Sequence, residues 1–199
     1  MTCSFNIEKE LLNQNYSHIC GIDEVGRGAL FGPVVSGAVI LNPNRLNFEI
    51  DDSKKIPPRK REILAEDIYE SADAFSIGWC WNDGIDEMNI LNATKTSMKL
   101  ALMNLQITPD YVLMDGLKPD FIYINGEGII KGDSKSISIA AASIIAKVFR
   151  DDLMKQFSKY FTEYGLDRNK GYPTREHIHS LNNTGITSYH RKSFKIKNG

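Results

Sequence analysis

The chain has 199 residues, of which 42% are hydrophobic and 25% charged, with a formal net charge of -1. This length carries one sizeable core, the composition excludes disordered and fibrous classes, and the balanced charge confines any nucleic-acid surface to a local patch. The longest weakly polar run, residues 137–146, falls well short of the ~20 apolar residues of a membrane span, and the N-terminus has no apolar signal core.

The three cysteines (Cys3, Cys20, Cys80) form no CxxC and leave one over under any pairing, which fits a reducing compartment. A single cytoplasmic domain spanning residues 1–199 is therefore expected.

Residues 1–15 read as a short helix, with Ile7, Leu11 and Leu12 near one face. Residues 18–22 are an apolar β-type run, followed by the adjacent carboxylates Asp23 and Glu24 and by the turn Gly26-Arg27-Gly28. A second strand is expected over 33–41. Burying an ionised carboxylate without a partner costs several kcal/mol, so the acidic pair asks for a cation, and a metal ion is the best candidate. The glycines let the backbone turn close to a ligand, and the fork of Arg27 suits phosphate.

A charged loop over 51–55 runs into Pro57 and Pro58, which open a helix through Ile63, Leu64, Ile68 and Tyr69. A strand over 74–81 precedes a helix over 85–105, whose stripe of Met88, Leu91, Met98, Leu102 and Leu105 reads as core. Residues 111–114 form a fully apolar strand, as in a sheet covered on both faces, and Asp115 emerges at its carboxyl end, where ligands of α/β sheets gather. Residues 129–134 read as a further short strand closing on Gly132-Asp133. The long helix over 137–157 follows, its small Ala140-Ala141-Ala142 face made for close packing. Taken singly, Asp115 or Asp133 is equally a turn or helix cap.

Residues 168–199 hold seven Lys/Arg against one acid, Glu176, with Tyr172, Tyr189 and Phe194 interleaved. This basic helical and loop segment reads as a solvated tail or as a nucleic-acid surface, and the rings favour the second.

The alternation of strands and helices predicts an α/β fold with a sheet flanked on both faces. Asp23, Glu24, Asp115 and Asp133 then stand at the ends of three strands and converge if those strands are neighbours. Hard oxygen ligands of this kind suit Mg²⁺ or Mn²⁺, and two such ions serve phosphodiester hydrolysis. Adjacent residues of a regular strand face opposite ways, so Asp23 and Glu24 are expected to need a bend or bulge. Three rivals are weaker. A P-loop would need Lys-Ser/Thr where this chain has none, zinc would need partners for His177 and His179, and a metal-free ribonuclease would need two histidines together.

The motifs Cys20-Gly-Ile-Asp-Glu-Val-Gly-Arg-Gly28, Gly32-Pro-Val-Val35, Asp52-Ser-Lys-Lys55, Met114-Asp-Gly116, Lys131-Gly-Asp-Ser-Lys135, Ala140-Ala-Ala-Ser-Ile144 with Ala146-Lys-Val148 and Arg150-Asp151, Lys170-Gly-Tyr172 and His190-Arg-Lys-Ser-Phe194 resemble, in order, those of bacterial ribonuclease HII. The resemblance implies a ribonuclease H-like mixed sheet and an endoribonuclease using two Mg²⁺ or Mn²⁺ ions. Its substrates would be the RNA strand of RNA/DNA hybrids and single ribonucleotides embedded in duplex DNA, incised on their 5′ side to leave 3′-hydroxyl and 5′-phosphate ends. It further implies Asp23, Glu24, Asp115 and Asp133 as catalytic metal ligands, and Gly26, Arg27, Gly28, Lys54 and Tyr172 as substrate contacts, in a protein acting as a monomer. Ala29, where the family usually has proline, and Phe31, where it usually has a small residue, depart from the pattern.

Overall fold

A computed structural model describes residues 3–46, 50 and 56–195. In chain order the elements are α1 (Asn6–Asn13), β1 (Ile19–Val25), β2 (Val34–Leu41), α2 (Pro58–Ser71), β3 (Ala72–Cys80), α3 (Asn82–Met103), β4 (Tyr111–Asp115), β5 (Gly126–Ile129), α4 (Ile137–Phe157), α5 (Leu166–Asn169) and α6 (Arg175–Thr184). The expected loop over 51–55, with Lys54, lies outside the described residues.

Among these residues the strands form one mixed sheet in the order β3-β2-β1-β4-β5. β3, β2 and β1 pair antiparallel, and β1, β4 and β5 parallel. Helices cover both faces, as the fully apolar β4 requires. On one face α4 lies across β1 and β2, with α1 and α2 beside it. It comes close because the sheet offers no side chain there: a Cβ on Gly21 would lie 2.1 Å from the Ser138 carbonyl carbon, and one on Gly37 2.4 Å from the Ala142 oxygen. On the other face α3 packs Met98, Ala101 and Leu102 against Cys20, Ile22, Ala38 and Met114. Burial pushes the Cys20 thiol up to about 12, which makes it a packing group rather than a nucleophile.

Three expectations need correction. β1 does not stop at Ile22 but runs through Asp23 and Glu24 to Val25, because β2 supplies ladder partners as far as Val35. The strand expected over 129–134 is the shorter β5, ending at Ile129; Lys131 then turns left-handed (φ 56) and Gly132–Ser134 forms a 3-10 turn. Finally, α3 is broken at Asn89 (φ 71), whose side-chain oxygen accepts from the amides of Leu91 and Asn92 and so caps the second part.

No helix among the described residues is long and apolar enough to cross a membrane.

Candidate active site

The site forms where β1 outruns β4. Pairing of the two ends at Ile22↔Met114, whereas β1 stays paired with β2 through Asp23↔Gly37, Glu24↔Ser36 and Val25↔Val35. Asp23, Glu24 and Val25 thus overhang on the β4 side, next to Asp115 at the end of β4. The anticipated bulge is absent, since the register runs unbroken through both carboxylates. Asp23 shares the α4 face with Gly21 and is bonded by Ser143 of α4, while Glu24 falls on the opposite face. Both nonetheless reach the open edge, and with Asp115 they line one cleft of about 390 Å³.

The three carboxylates feel one another. Burial, then the charge of Glu24, pushes Asp23 well above the usual carboxylate range; Ser143 pulls it back, and Asp115 adds further repulsion. Glu24 is also raised by burial and by Asp115, against the pull of Arg27, whose Nη1 lies 3.1 Å from its Oε1. Its second oxygen, Oε2, is buried with no hydrogen-bond partner. Asp115 Oδ1 accepts the Gly132 amide at 2.6 Å, and Asp23 Oδ1 accepts that of Glu24 at 2.7 Å.

Among the described residues no group of three or more His, Cys, Asp or Glu side chains is arranged to hold a metal ion as it stands. The donor chemistry nevertheless fits a hard divalent cation. Hard oxygens, mutual repulsion and an orphaned carboxylate oxygen are all relieved by positive charge at that point. Asp133 is buried in the 3-10 turn, one residue beyond the amide that holds Asp115, and is not among the lining residues. The rival reading of Asp133 as a cap of α4 is not realised, because Ser136 caps that helix by accepting from the Ile139 amide.

The turn Gly26-Arg27-Gly28 and Tyr172 line the same cleft. Gly26 has φ 91, and a Cβ there would sit 2.2 Å from Arg150 Nε, so a side chain is excluded both by conformation and by space. Its amide donates to the Tyr172 hydroxyl oxygen at 3.2 Å.

A profile of the Ribonuclease HII family matches residues 20–197. The chain is 47% identical over 194 residues to Ribonuclease HII of Caldicellulosiruptor bescii, covering 98% of this chain and 94% of that one. The chain belongs to the ribonuclease HII family. Its fold matches the ribonuclease H2 of Pyrococcus horikoshii OT3 (TM-score 0.72, 25% identity, 90% of this chain and 94% of that one). It likewise matches RNase HII in the Archaeoglobus fulgidus PCNA:RNase HII complex (TM-score 0.75, 25% identity, 92% and 98%).

For a ribonuclease HII, the two departures from the family pattern concern packing. Ala29 and Phe31 are fully buried, and the Phe31 ring meets Phe157, Phe161 and His190 at 5.5, 5.6 and 4.9 Å. Sequence reasoning gave no role to three residues of α4 that the fold brings to the site. Ser143 and Lys147 line the cleft, and Lys147 pairs with Asp151 at 2.5 Å. Arg150 is wholly buried and donates to the carbonyls of Pro33 (3.1 Å), Lys170 (2.8 Å) and Phe31 (3.1 Å). Its guanidinium carbon lies 5.4 Å from the centre of the Tyr172 ring. The spacing of 143, 147 and 150 along one helix face was the available signal. From the final loop Arg191 adds a second buried guanidinium, bonding the carbonyls of Gly32 and Arg27 at 3.0 and 2.9 Å. Together the two arginines tie the backbone of residues 27–33 to that of Lys170.

Proposed function

We propose that this ribonuclease HII hydrolyses the RNA strand of RNA/DNA hybrids and incises on the 5′ side of single ribonucleotides embedded in duplex DNA. The observation that carries the reading is the meeting of Asp23, Glu24 and Asp115 in one cleft that is also lined by the Gly26 turn bonded to Tyr172. Asp23, Glu24 and Asp115 would hold Mg²⁺ or Mn²⁺, with Asp133 as the fourth ligand from the adjoining turn. Two such ions together supply an activated water and charge stabilisation at the leaving oxygen.

The chain's own groups do the selecting. Because the Tyr172 hydroxyl accepts from Gly26, its own proton remains to be donated, and a ribose 2′-hydroxyl can accept it. The Tyr172 ring offers a flat apolar surface to the neighbouring sugar. Gly26 and Gly28 leave that approach unobstructed, while Arg27, partly exposed beside Glu24, is placed to bond a flanking phosphate. Lys54 is assigned a phosphate contact by family resemblance alone. The basic segment over 168–199 would follow the duplex backbone. The whole chain is read as one domain acting as a monomer in the cytoplasm.

The metal-free histidine reading is disfavoured, because neither His177 nor His190 lines the cleft and both rings are bonded at each nitrogen. Mapping the cut on a duplex with one ribonucleotide tests the proposal. Incision immediately 5′ of the ribonucleotide is expected; cleavage that ignores its position would overturn it.

A further inference from the structure

Tyr172 lies on the link between α5 and α6, just after Lys170 and Gly171, both in the left-handed region (φ 53 and 80). Such a link does not by itself aim a ring. Beneath it lies a pair of buried histidines. His177, in the first turn of α6, meets the Tyr172 carbonyl through Nδ1 at 3.0 Å. Its Nε2 faces Nε2 of His190 at 3.2 Å, and His190 Nδ1 receives the Thr187 amide at 2.9 Å.

A carbonyl only accepts and a backbone N–H only donates, so the protons have one arrangement. His177 carries its proton on Nδ1, and His190 on Nε2. The bonds run one way, from Thr187 N–H through His190 and His177 to the Tyr172 carbonyl, with both rings neutral. Burial holds both histidines below their ordinary range, in keeping with that state. The pair thereby ties the final loop, thirteen residues on from His177, to the backbone of Tyr172.

We propose that His177 and His190 are positioning residues for Tyr172, fixing its backbone so that the hydroxyl meets Gly26 and the ring presents itself to the sugar of an embedded ribonucleotide. The inference rests on the reading of Tyr172 as a recognition residue. Its signature is a loss of selectivity rather than of cleavage in general.

The test has two arms on the full chain. Nitrogen-15 spectra of the histidine side chains at neutral pH should show the Nδ1–H tautomer for His177 and the Nε2–H tautomer for His190. The opposite tautomer in either ring, or a doubly protonated ring, overturns the proposal. In the second arm, His190→Asn keeps an acceptor for Thr187 but is too short to reach His177, whereas His190→Gln keeps a donor near the Nε2 position. His190→Asn should lower the ratio of single-ribonucleotide to hybrid cleavage roughly tenfold, as small misplacements of a recognition group do, and His190→Gln should recover most of it. In a Tyr172→Ala background His190→Asn should leave the ratio unchanged. Equal losses on both substrates, or the same loss without Tyr172, overturn the proposal. If Tyr172→Ala alone leaves the ratio unaltered, the recognition reading fails, and the spectra then report separately on the histidine chain.

Discussion

The backbone N–H of Gly26 donates to the phenolic oxygen of Tyr172 at 3.2 Å, across 146 residues of sequence. This bond closes the cleft between the turn that follows the carboxylates and the loop that precedes α6. The three carboxylates and this bonded pair therefore border one cleft.

Tyr172→Ala removes both the ring and the hydroxyl from that cleft. Cleavage at a single embedded ribonucleotide should fall by about tenfold or more relative to cleavage of a continuous hybrid, where neighbouring ribonucleotides offer other contacts. Tyr172→Phe keeps the ring and should lose less. Initial rates on the two substrates decide it; equal losses on both would remove Tyr172 from recognition.

Gly26→Ala puts a methyl group at φ 91 and 2.2 Å from Arg150 Nε. The strained backbone alone costs about 1–3 kcal/mol, and the displaced guanidinium adds to it. A lower urea midpoint together with a large loss of cleavage is expected. A variant of wild-type stability would show that the turn yields easily.

On the proposed reading, Asp115→Asn and Asp133→Asn each remove an anionic metal ligand and should cut cleavage by about a hundredfold or more. Without metal the Asp115 variant should melt no lower than the wild type. It relieves repulsion with Asp23 and Glu24, and the asparagine oxygen can still accept the Gly132 amide. A melting point several degrees lower with activity retained would make either residue a structural cap.

The histidine pair predicts a pH dependence of stability. Burial, with repulsion from His177, pulls His190 down to about 4 from its ordinary value of 6.5, and His177 is lowered by burial as well. Between the folded and unfolded values the unfolded chain binds more protons, so stability falls as pH drops below 6.5 and the contribution is gone below about 4. The raised carboxylates of the cleft act in the opposite sense, so the comparison has to be with His190→Gln, which shares them. Urea melts at pH 7.5 and pH 5 should show the wild type losing more stability than the variant. Equal losses would contradict the assignment.

Much of this was legible in the sequence wherever local pattern and tertiary environment agree. The fully apolar run over 111–114 announced a strand buried on both faces, and Asp115 at its end announced the site. Asp23 and Glu24 looked like a strand terminus because carboxylates are rare in core strands; the ladder with β2, a non-local partner, carries β1 through them. β5 was placed too far along the chain because two of its residues are glycines, while Ile130, the apolar residue that suggested a strand there, is exposed. The break at Asn89 depends on a side chain capping its own backbone inside an otherwise helical pattern. The partners of the histidine pair and of Arg150 could not be read, since each joins segments that meet only after the chain has folded.

The most direct test of the account is cleavage of a duplex containing one ribonucleotide, in Mg²⁺, in Mn²⁺ and in excess chelator, followed by analysis of the new ends. Hydrolysis by a metal-activated water predicts a 3′-hydroxyl and a 5′-phosphate, and no cleavage in chelator. A 2′,3′-cyclic phosphate end, or full activity in chelator, would contradict it.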